Sequence, residues 1–292
     1  RVLRPLRTIT AATRQISEAN LHERLELPGP RDELRTLADT IDGLLERLQS
    51  AFDAQRRFVA NASHELRTPL TAAQALLEMA MSDPNADLDT FRVVCAQVLE
   101  ESAQQEQLID ALLALAQGQR GIDRREPVDL AALAGDIVTR RELDAAAHGV
   151  ALDVALDPAV AAGDRRLLER LICNLVDNAI RHNRHGGTVE LRIDAAGECS
   201  VLSIANTGPV VPAEEVERLL QPFQRMTTAR TGSRDGLGLG LSIVAAIAAA
   251  HDATLDVHPR DGGGLAIAVR FPPAPDGSRE PVPAGEPEPA FA

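Results

Sequence analysis

Apolar residues return every three or four positions through most of the first 120 residues, and every second position in several short runs beyond 150. The first spacing predicts amphipathic helices and the second half-buried strands, because the side-chain period is 3.6 in a helix and 2.0 in a strand. Leu6, Ile9, Ala12 and Ile16 predict a helix over 1–27, with Pro5 in its first turn and Pro28-Gly29-Pro30 ending it. A second periodic segment starts near Asp32 and carries Leu34, Leu37, Ile41, Leu44, Leu45 and Leu48. Its seam continues through Phe52, Val59, Ala62, Leu66, Ala73, Leu77 and Ala80, with no glycine or proline between Gly43 and Pro69. Ser82-Asp83-Pro84-Asn85 predicts a turn, and Val94, Val98, Leu108, Leu112 and Leu115 predict a further helix over 88–116. Two such antiparallel helices keep a long apolar stripe uncovered, which predicts a homodimer closed as a four-helix bundle.

After a polar linker the pattern changes. Helices are predicted over 130–147 and 165–181, strands over 150–156, 188–194 and 199–205, and a helix near 212–220. A glycine-rich entry leads into a helix over 236–251, and strands over 254–258 and 265–271 flank Gly262-Gly263-Gly264 as a hairpin. The fold class expected is therefore α plus α/β: a helical region followed by an α/β sandwich with helices on one face of the sheet. The tail 273–292, rich in Pro, Gly and Glu, predicts disorder.

Composition narrows the function. The 292 residues hold no Trp or Tyr and only 2% aromatics, so there is no platform for stacking bases. A net charge of -13 disfavours a nucleic-acid partner further. Every basic residue is Arg, so any cationic contact to phosphate must come from a guanidinium. Cys95, Cys173 and Cys199 have no metal-ligand spacing and read as free thiols. No apolar run reaches the ~18 residues of a membrane span. The sequence starts at Arg1 without a signal-peptide pattern, which predicts a piece of a longer protein whose upstream part is the place for an anchor.

Four constellations carry candidate chemistry. In FVANASHELRTPL, over 58–70, Ala62 and Leu66 belong to the buried seam, so His64 points to solvent on the opposite face. A lone exposed histidine is ordinarily just that. Here Glu65 stands beside it, Thr68 follows one turn on, Asn61 lies one turn before, and Pro69 predicts a bend. A neutral imidazole can accept a phosphoryl group, a neighbouring carboxylate can take its proton, and a hydroxyl one turn away can position a water. Asn174 and Asn178 lie four apart on one face of an otherwise apolar helix, where side-chain oxygens gather for a hard cation such as Mg²⁺. Asn206-Thr207-Gly208-Pro209 follows a strand, which places a polar side chain beside a flat base. Asp235-Gly-Leu-Gly-Leu-Gly-Leu241 opens a helix with three alternating glycines, leaving backbone N–H groups for phosphate oxygens. Arg225, Arg230 and Arg234 lie just before it, as a lid over phosphates.

Together these motifs resemble the cytoplasmic part of a sensor histidine kinase of bacterial two-component systems. FVANASHELRTPL is similar to the family's H box, NLVDN at 174–178 to its N box, and NTGP at 206–209 to its first glycine box. Pro222-Phe223 is similar to the F box and DGLGLGLSIV to the second glycine box. The two helices before residue 50 resemble a HAMP signal relay. The resemblance implies a HAMP-like relay over 1–50, a dimerisation and histidine phosphotransfer domain over 51–118, a linker over 119–127 and an ATP-binding domain over 128–272. It also implies ATP and Mg²⁺ as cofactors, phosphorylation of His64, and transfer to an aspartate of a response regulator. Glu65 would act as acid/base and Thr68 in dephosphorylating the regulator. Asn178 with Asn174 would hold Mg²⁺, while Gly208, Gly236, Gly238 and Gly240 would shape the pocket and lid hinge. The setting implied is the cytoplasmic portion of a protein anchored in the bacterial inner membrane. Three positions depart from the family: Asn206 stands where an adenine-binding Asp is usual, His182 for an aromatic and Arg181 for a lysine. The Asn206 change keeps open a second reading, a relay whose ATP site is silent or that acts only as a phosphatase. An ATPase of the same sandwich fold leaves FVANASHELRTPL unexplained.

Overall fold

The computed structural model describes residues 24–25, 33–82, 87–122, 124–197, 199–226 and 237–273. Of the helix expected over 1–27 only residues 24 and 25 are described, and they are not helical; the Pro28-Gly29-Pro30 break, most of the turn after Ser82 and the tail from 274 lie outside the described residues. The chain divides into two compact units, with the boundary between Glu101 and Ser102.

The first unit is built on α1 (Glu33–Ser82), a single helix of 50 residues. Pro69 sits inside it. The helix continues through the proline although the Glu65 carbonyl loses its helical donor. Ala62 and Ala80 are buried, and Leu66 and Ala73 are half-buried. These four positions fall on one stripe at about 100° per residue. Val59, Leu70, Leu77 and Met81 run beside that stripe and are exposed in the single chain. Upstream of the helical stretch, Leu25 N donates to Asp42 Oδ1 at 2.9 Å and the Arg24 guanidinium to Gln49 Oε1 at 2.9 Å. The next helix, α2 (Leu88–Arg120), begins on Asp87, whose Oδ1 accepts from Thr90 N at 2.8 Å and Thr90 Oγ1 at 2.7 Å. Those bonds hold the Asp87 carboxyl below its ordinary pKa, as a helix N-cap requires.

The second unit adds an α/β sandwich. Its elements are β1 (Glu126–Asp129), α3 (Leu130–Ala147), β2 (Ala151–Leu156), β3 (Val160–Gly163), α4 (Arg165–Arg181), β4 (Thr188–Ala196), β5 (Cys199–Asn206), α5 (Ala213–Leu219), α6 (Gly240–Ala250), β6 (Thr254–Pro259) and β7 (Leu265–Phe271). Five strands form one sheet in the order β2-β4-β5-β7-β6, parallel only between β2 and β4. Val189, Leu191, Ile193, Leu202, Ile204, Val269 and Phe271 are buried on its helix-facing side, under Leu168, Leu171, Ile172 and Leu175 of α4 and Val244 and Ile247 of α6. The opposite side carries the ion pairs Arg192–Asp153 at 2.6 Å and Arg260–Glu190 at 3.1 Å.

Two strands lie where none was expected. β1 starts at Glu126, inside the segment read as linker, and pairs antiparallel with β3, Glu126 opposite Gly163 and Asp129 opposite Val160. Each is four residues long with no alternating pattern of its own. The pairing places Asp129 at the start of α3 and Asp164 at the start of α4, and both carboxylates cap their helices. Asp129 Oδ1 accepts from Ala132 N at 3.0 Å, and Asp164 Oδ1 from Arg166 N at 2.8 Å and Leu167 N at 3.1 Å.

His251, the fully buried residue that ends α6, ties the layers together. Nδ1 lies 2.8 Å from the Ile247 carbonyl and Nε2 accepts from Asp164 N at 3.2 Å, so the ring proton sits on Nδ1. Its ring meets Phe271 edge-on at 6.1 Å. Burial pushes its pKa below the ordinary 6.5, with Arg125 adding to the shift and the bond to the Ile247 carbonyl, Asp164 and Asp252 opposing it. The folded state thus binds fewer protons than the unfolded one below pH 6.5. The stabilisation is complete above that pH and is lost as pH falls. His251→Gln should cost roughly 1–3 kcal/mol at neutral pH. Thermal unfolding followed by circular dichroism should show wild type losing more Tm than His251→Gln between pH 7.5 and about pH 5.5. Parallel losses would contradict the assignment.

Candidate active site

On α1 the geometry around His64 follows from helical phase. His64 and Glu65 are exposed, and Asn61 is half-buried. Thr68 is displaced by about 40° from His64 around the axis, one turn along. Its hydroxyl donates to the His64 carbonyl at 3.0 Å. Ser63 and Thr71 make the same kind of bond, to Val59 O at 2.8 Å and Arg67 O at 3.0 Å. Three hydroxyls thus bond back onto the helix around an outward imidazole, and that imidazole is open to a partner from solvent.

The second site lies where α4 and α6 meet. These helices run antiparallel: Gly240, at the start of α6, lies against Asn178 near the end of α4, while His251 meets Asp164 at the other end. A Cβ on Gly240 would lie 2.6 Å from Asn178 Nδ2, so only glycine lets the α6 backbone come this close to the amide. Among the described residues no side chain caps the first turn of α6. Ser242, which could have supplied one, donates its hydroxyl to Leu239 O at 2.9 Å. The N–H groups of that turn are therefore available to an anion. Asn174 lies one turn before Asn178 on the same face; its Nδ2 donates to Arg170 O at 2.7 Å, directing its Oδ1 outward from the helix backbone. Gly238 adopts φ +68° and its carbonyl accepts from Phe223 N at 2.8 Å. This bond pins the Pro222-Phe223 turn to the glycine loop. Arg141 of α3 holds Asp177 through two bonds, at 2.6 and 3.1 Å, and that pairing raises the guanidinium pKa.

The third wall is the loop after β5. Asn206 is 8% exposed, and its side chain is engaged on both sides. Nδ2 donates to Thr207 O at 2.8 Å and lies 3.4 Å from His182 O; Oδ1 accepts from Leu265 N at 3.3 Å. Two carbonyls on one side and an N–H on the other fix which way the amide points. The backbone packs here as tightly: a Cβ on Gly208 would lie 2.5 Å from His182 O.

Three family descriptions match the chain: the HAMP domain over residues 1–50, the His Kinase A (phospho-acceptor) domain over 54–121, and the histidine kinase-, DNA gyrase B- and HSP90-like ATPase over 163–275. The sensor protein CutS of Streptomyces coelicolor is 46% identical over 273 residues, covering 93% of this chain and 66% of CutS. The chain belongs to the sensor histidine kinases. It spans about two thirds of the length of that relative. Among solved structures, the Acinetobacter baumannii histidine kinase AdeS aligns with TM-score 0.54 and 25% identity, over 71% of this chain and 96% of AdeS. The histidine kinase ThkA, solved in complex with the response regulator protein TrrA, aligns with TM-score 0.55 over 78% of this chain and 65% of ThkA. At 17% identity that match concerns the fold alone.

Within this kinase the geometry brings Asn178, Gly238 and Gly240 together at the start of α6, with Asn174 on the same face of α4. Asn206 and Gly208 stand together where β5 ends and its following loop begins. Arg230 and Gly236, with Arg234, lie outside the described residues. Sequence reasoning missed Asn183 and Thr207. Thr207 Oγ1 donates to Asn183 Oδ1 at 2.6 Å and accepts from Thr188 N at 2.8 Å, which binds the end of α4 to the loop. The signal was the hydroxyl inside NTGP, opposite a polar residue just after α4. Asn206→Asp, which installs the residue more usual in the family, would place a carboxylate oxygen against two carbonyls. The expected outcome is a loss of roughly 1–3 kcal/mol of stability by chemical denaturation, with no tighter ATP binding. An Asn206→Asp variant that is more stable and binds ATP more tightly would refute this.

Proposed function

We propose that this chain catalyses ATP-dependent phosphorylation of His64 within a homodimer and passes the phosphoryl group to an aspartate of a response regulator. One observation carries the reading: an outward histidine flanked by Glu65 and Thr68 shares a chain with the Gly240–Asn178 cradle and the uncapped first turn of α6. The domain limits that fit are 1–50 for the HAMP-like relay, 51–118 for the phosphotransfer helices, 128–272 for the nucleotide domain and 273–292 for the tail. Of the segment 119–127 read as a linker, the end of α2 takes 119–120 and the start of β1 takes 126–127, which leaves 121–125 as the connection. The two described helices before residue 121 leave Val59, Leu70 and Leu77 exposed in the single chain, and a second copy is the occupant that closes such a stripe into a bundle.

The nucleotide domain fits Mg-ATP by its own donors. Among the described residues no cluster of three His, Cys, Asp or Glu side chains stands ready for a metal. A Mg²⁺ ion would therefore take the amide oxygen of Asn178, with Asn174 beside it, and fill the rest of its shell from phosphate and water. Mg-ATP supplies the γ-phosphoryl group and a leaving group whose charge the ion offsets. The N–H groups at the start of α6 hold phosphate oxygens, Gly238 and Gly208 allow close backbone approach, and the Asn206 wall borders the base. A ring nitrogen of His64 takes the phosphoryl group as Glu65 accepts the ring proton, and Thr68 orients water when the regulator is dephosphorylated.

The partner reading draws on the phospho-acceptor match over 54–121 and the likeness to the sensor protein CutS. None of the described helices is long and apolar enough to cross a membrane. Attachment to the bacterial inner membrane belongs to the part of the protein upstream of this chain, as the HAMP match supports.

Incubation with γ-labelled ATP and Mg²⁺ tests the reading. Wild type should take up acid-labile, alkali-stable label, and His64→Ala should take up none while still forming dimers. Glu65→Gln should slow labelling by about 10² or more. Label retained in His64→Ala, or no label on folded wild-type dimer, would sink the proposal.

A further inference from the structure

The segment joining α2 to β1 touches α6 at two places. Gly118, in the last turn of α2, is buried against Ala246: a Cβ built on it would stand 3.0 Å from the Ala246 Cβ and 3.0 Å from its carbonyl carbon. Leu108, Ala111 and Leu115 lie on the same side of α2 and are buried, so Gly118 ends a continuous buried stripe. Seven residues on, Arg125 reaches the other end of α6. Its Nη2 donates to Ala250 O at 3.1 Å and pairs with Asp252 Oδ2 at 2.6 Å. A guanidinium on the last carbonyls of a helix satisfies acceptors that have no partner within the helix and complements its dipole.

We propose that this connector is a clamp on α6, with Gly118 as the notch and Arg125 as the cap, and that it sets the position of the glycine loop that binds phosphate. The proposal rests on the nucleotide reading above and extends it to residues outside the pocket. A helix of 11 residues moves as a rod, and Ala246 is only about 9 Å along the axis from Gly240. A shift at Ala246 therefore reaches Gly240, whose backbone lies so near Asn178 that an added Cβ would stand 2.6 Å from its Nδ2. Gly118 and Arg125 are not among the residues assigned above to nucleotide or metal; they are positioning residues. Because Gly118 is the end of the phosphotransfer helix, movement of that helix is delivered to α6 first.

The test compares full-chain wild type with Gly118→Leu, Arg125→Gln, Arg125→Lys and Asn178→Ala. Mg-ATP affinity is read by calorimetry, Tm by circular dichroism, and hydrogen exchange over 237–243 by mass spectrometry. Gly118→Leu and Arg125→Gln should each weaken Mg-ATP binding by about fivefold or more and speed exchange at 237–243. Arg125→Lys, which keeps a cationic donor for Ala250 O, should recover part of both losses. Arg125 is partly exposed and carries the test alone if Gly118→Leu fails to fold. Wild-type affinity and wild-type exchange in Arg125→Gln, with or without a lower Tm, would overturn the clamp. Asn178→Ala separates the two claims, since unchanged ATP binding in that variant strikes at the nucleotide site itself.

Discussion

The α/β unit is organised by the antiparallel contact of α6 on α4. At one end the α6 backbone presses on the Asn178 amide through Gly240; at the other His251 accepts the Asp164 N–H. Buried Leu168, Leu171, Leu175, Val244 and Ile247 fill the layer beneath and between them. At the Asn178 end the approach depends on Gly240, where any side chain would collide with the amide. The arrangement has a chemical consequence. It carries an uncapped helix start to the amide face of Asn174 and Asn178, so that anion donors and a cation ligand meet in one place.

The flanking contacts hold this pair in register. Arg141 fixes Asp177 with two bonds, tying α3 to α4 on the side away from α6. Asn206 and Thr207 stitch the loop after β5 to the end of α4 and the start of β7. Surface ion pairs on the outer side of the sheet add little beside these, because exposed pairs rarely contribute more than about 1 kcal/mol. Burial and backbone satisfaction dominate, and most of the polar side chains around the pocket bond to carbonyl or amide groups rather than to each other.

Much of this was legible along the chain. The 3–4 spacing from Leu37 to Ala80 and the strand alternation at 188–194 and 199–205 dictate elements within a few residues of those found, since each has an internal period. The outward direction of His64 followed from phase alone. β1 and β3 had no such signal: each is four residues long and depends on a partner more than 30 residues away. Pro69 lies within α1 without ending it, because one lost helical bond is small against a helix of 50 residues. Spacing placed Asn206 beside the pocket but not its bonding, which depends on His182 and Leu265 arriving from distant parts of the chain. The grip of Arg125 on α6 was hidden for the same reason.

The central claim is that the Gly240–Asn178 approach forms the phosphate end of an ATP site. Calorimetric titration of Mg-ATP into wild type and Gly240→Ala tests it most directly, because the added methyl would stand 2.6 Å from Asn178 Nδ2. Wild type should bind Mg-ATP, and Gly240→Ala should lose at least about tenfold in affinity with its fold preserved by circular dichroism. Equal affinity in the two proteins would contradict it.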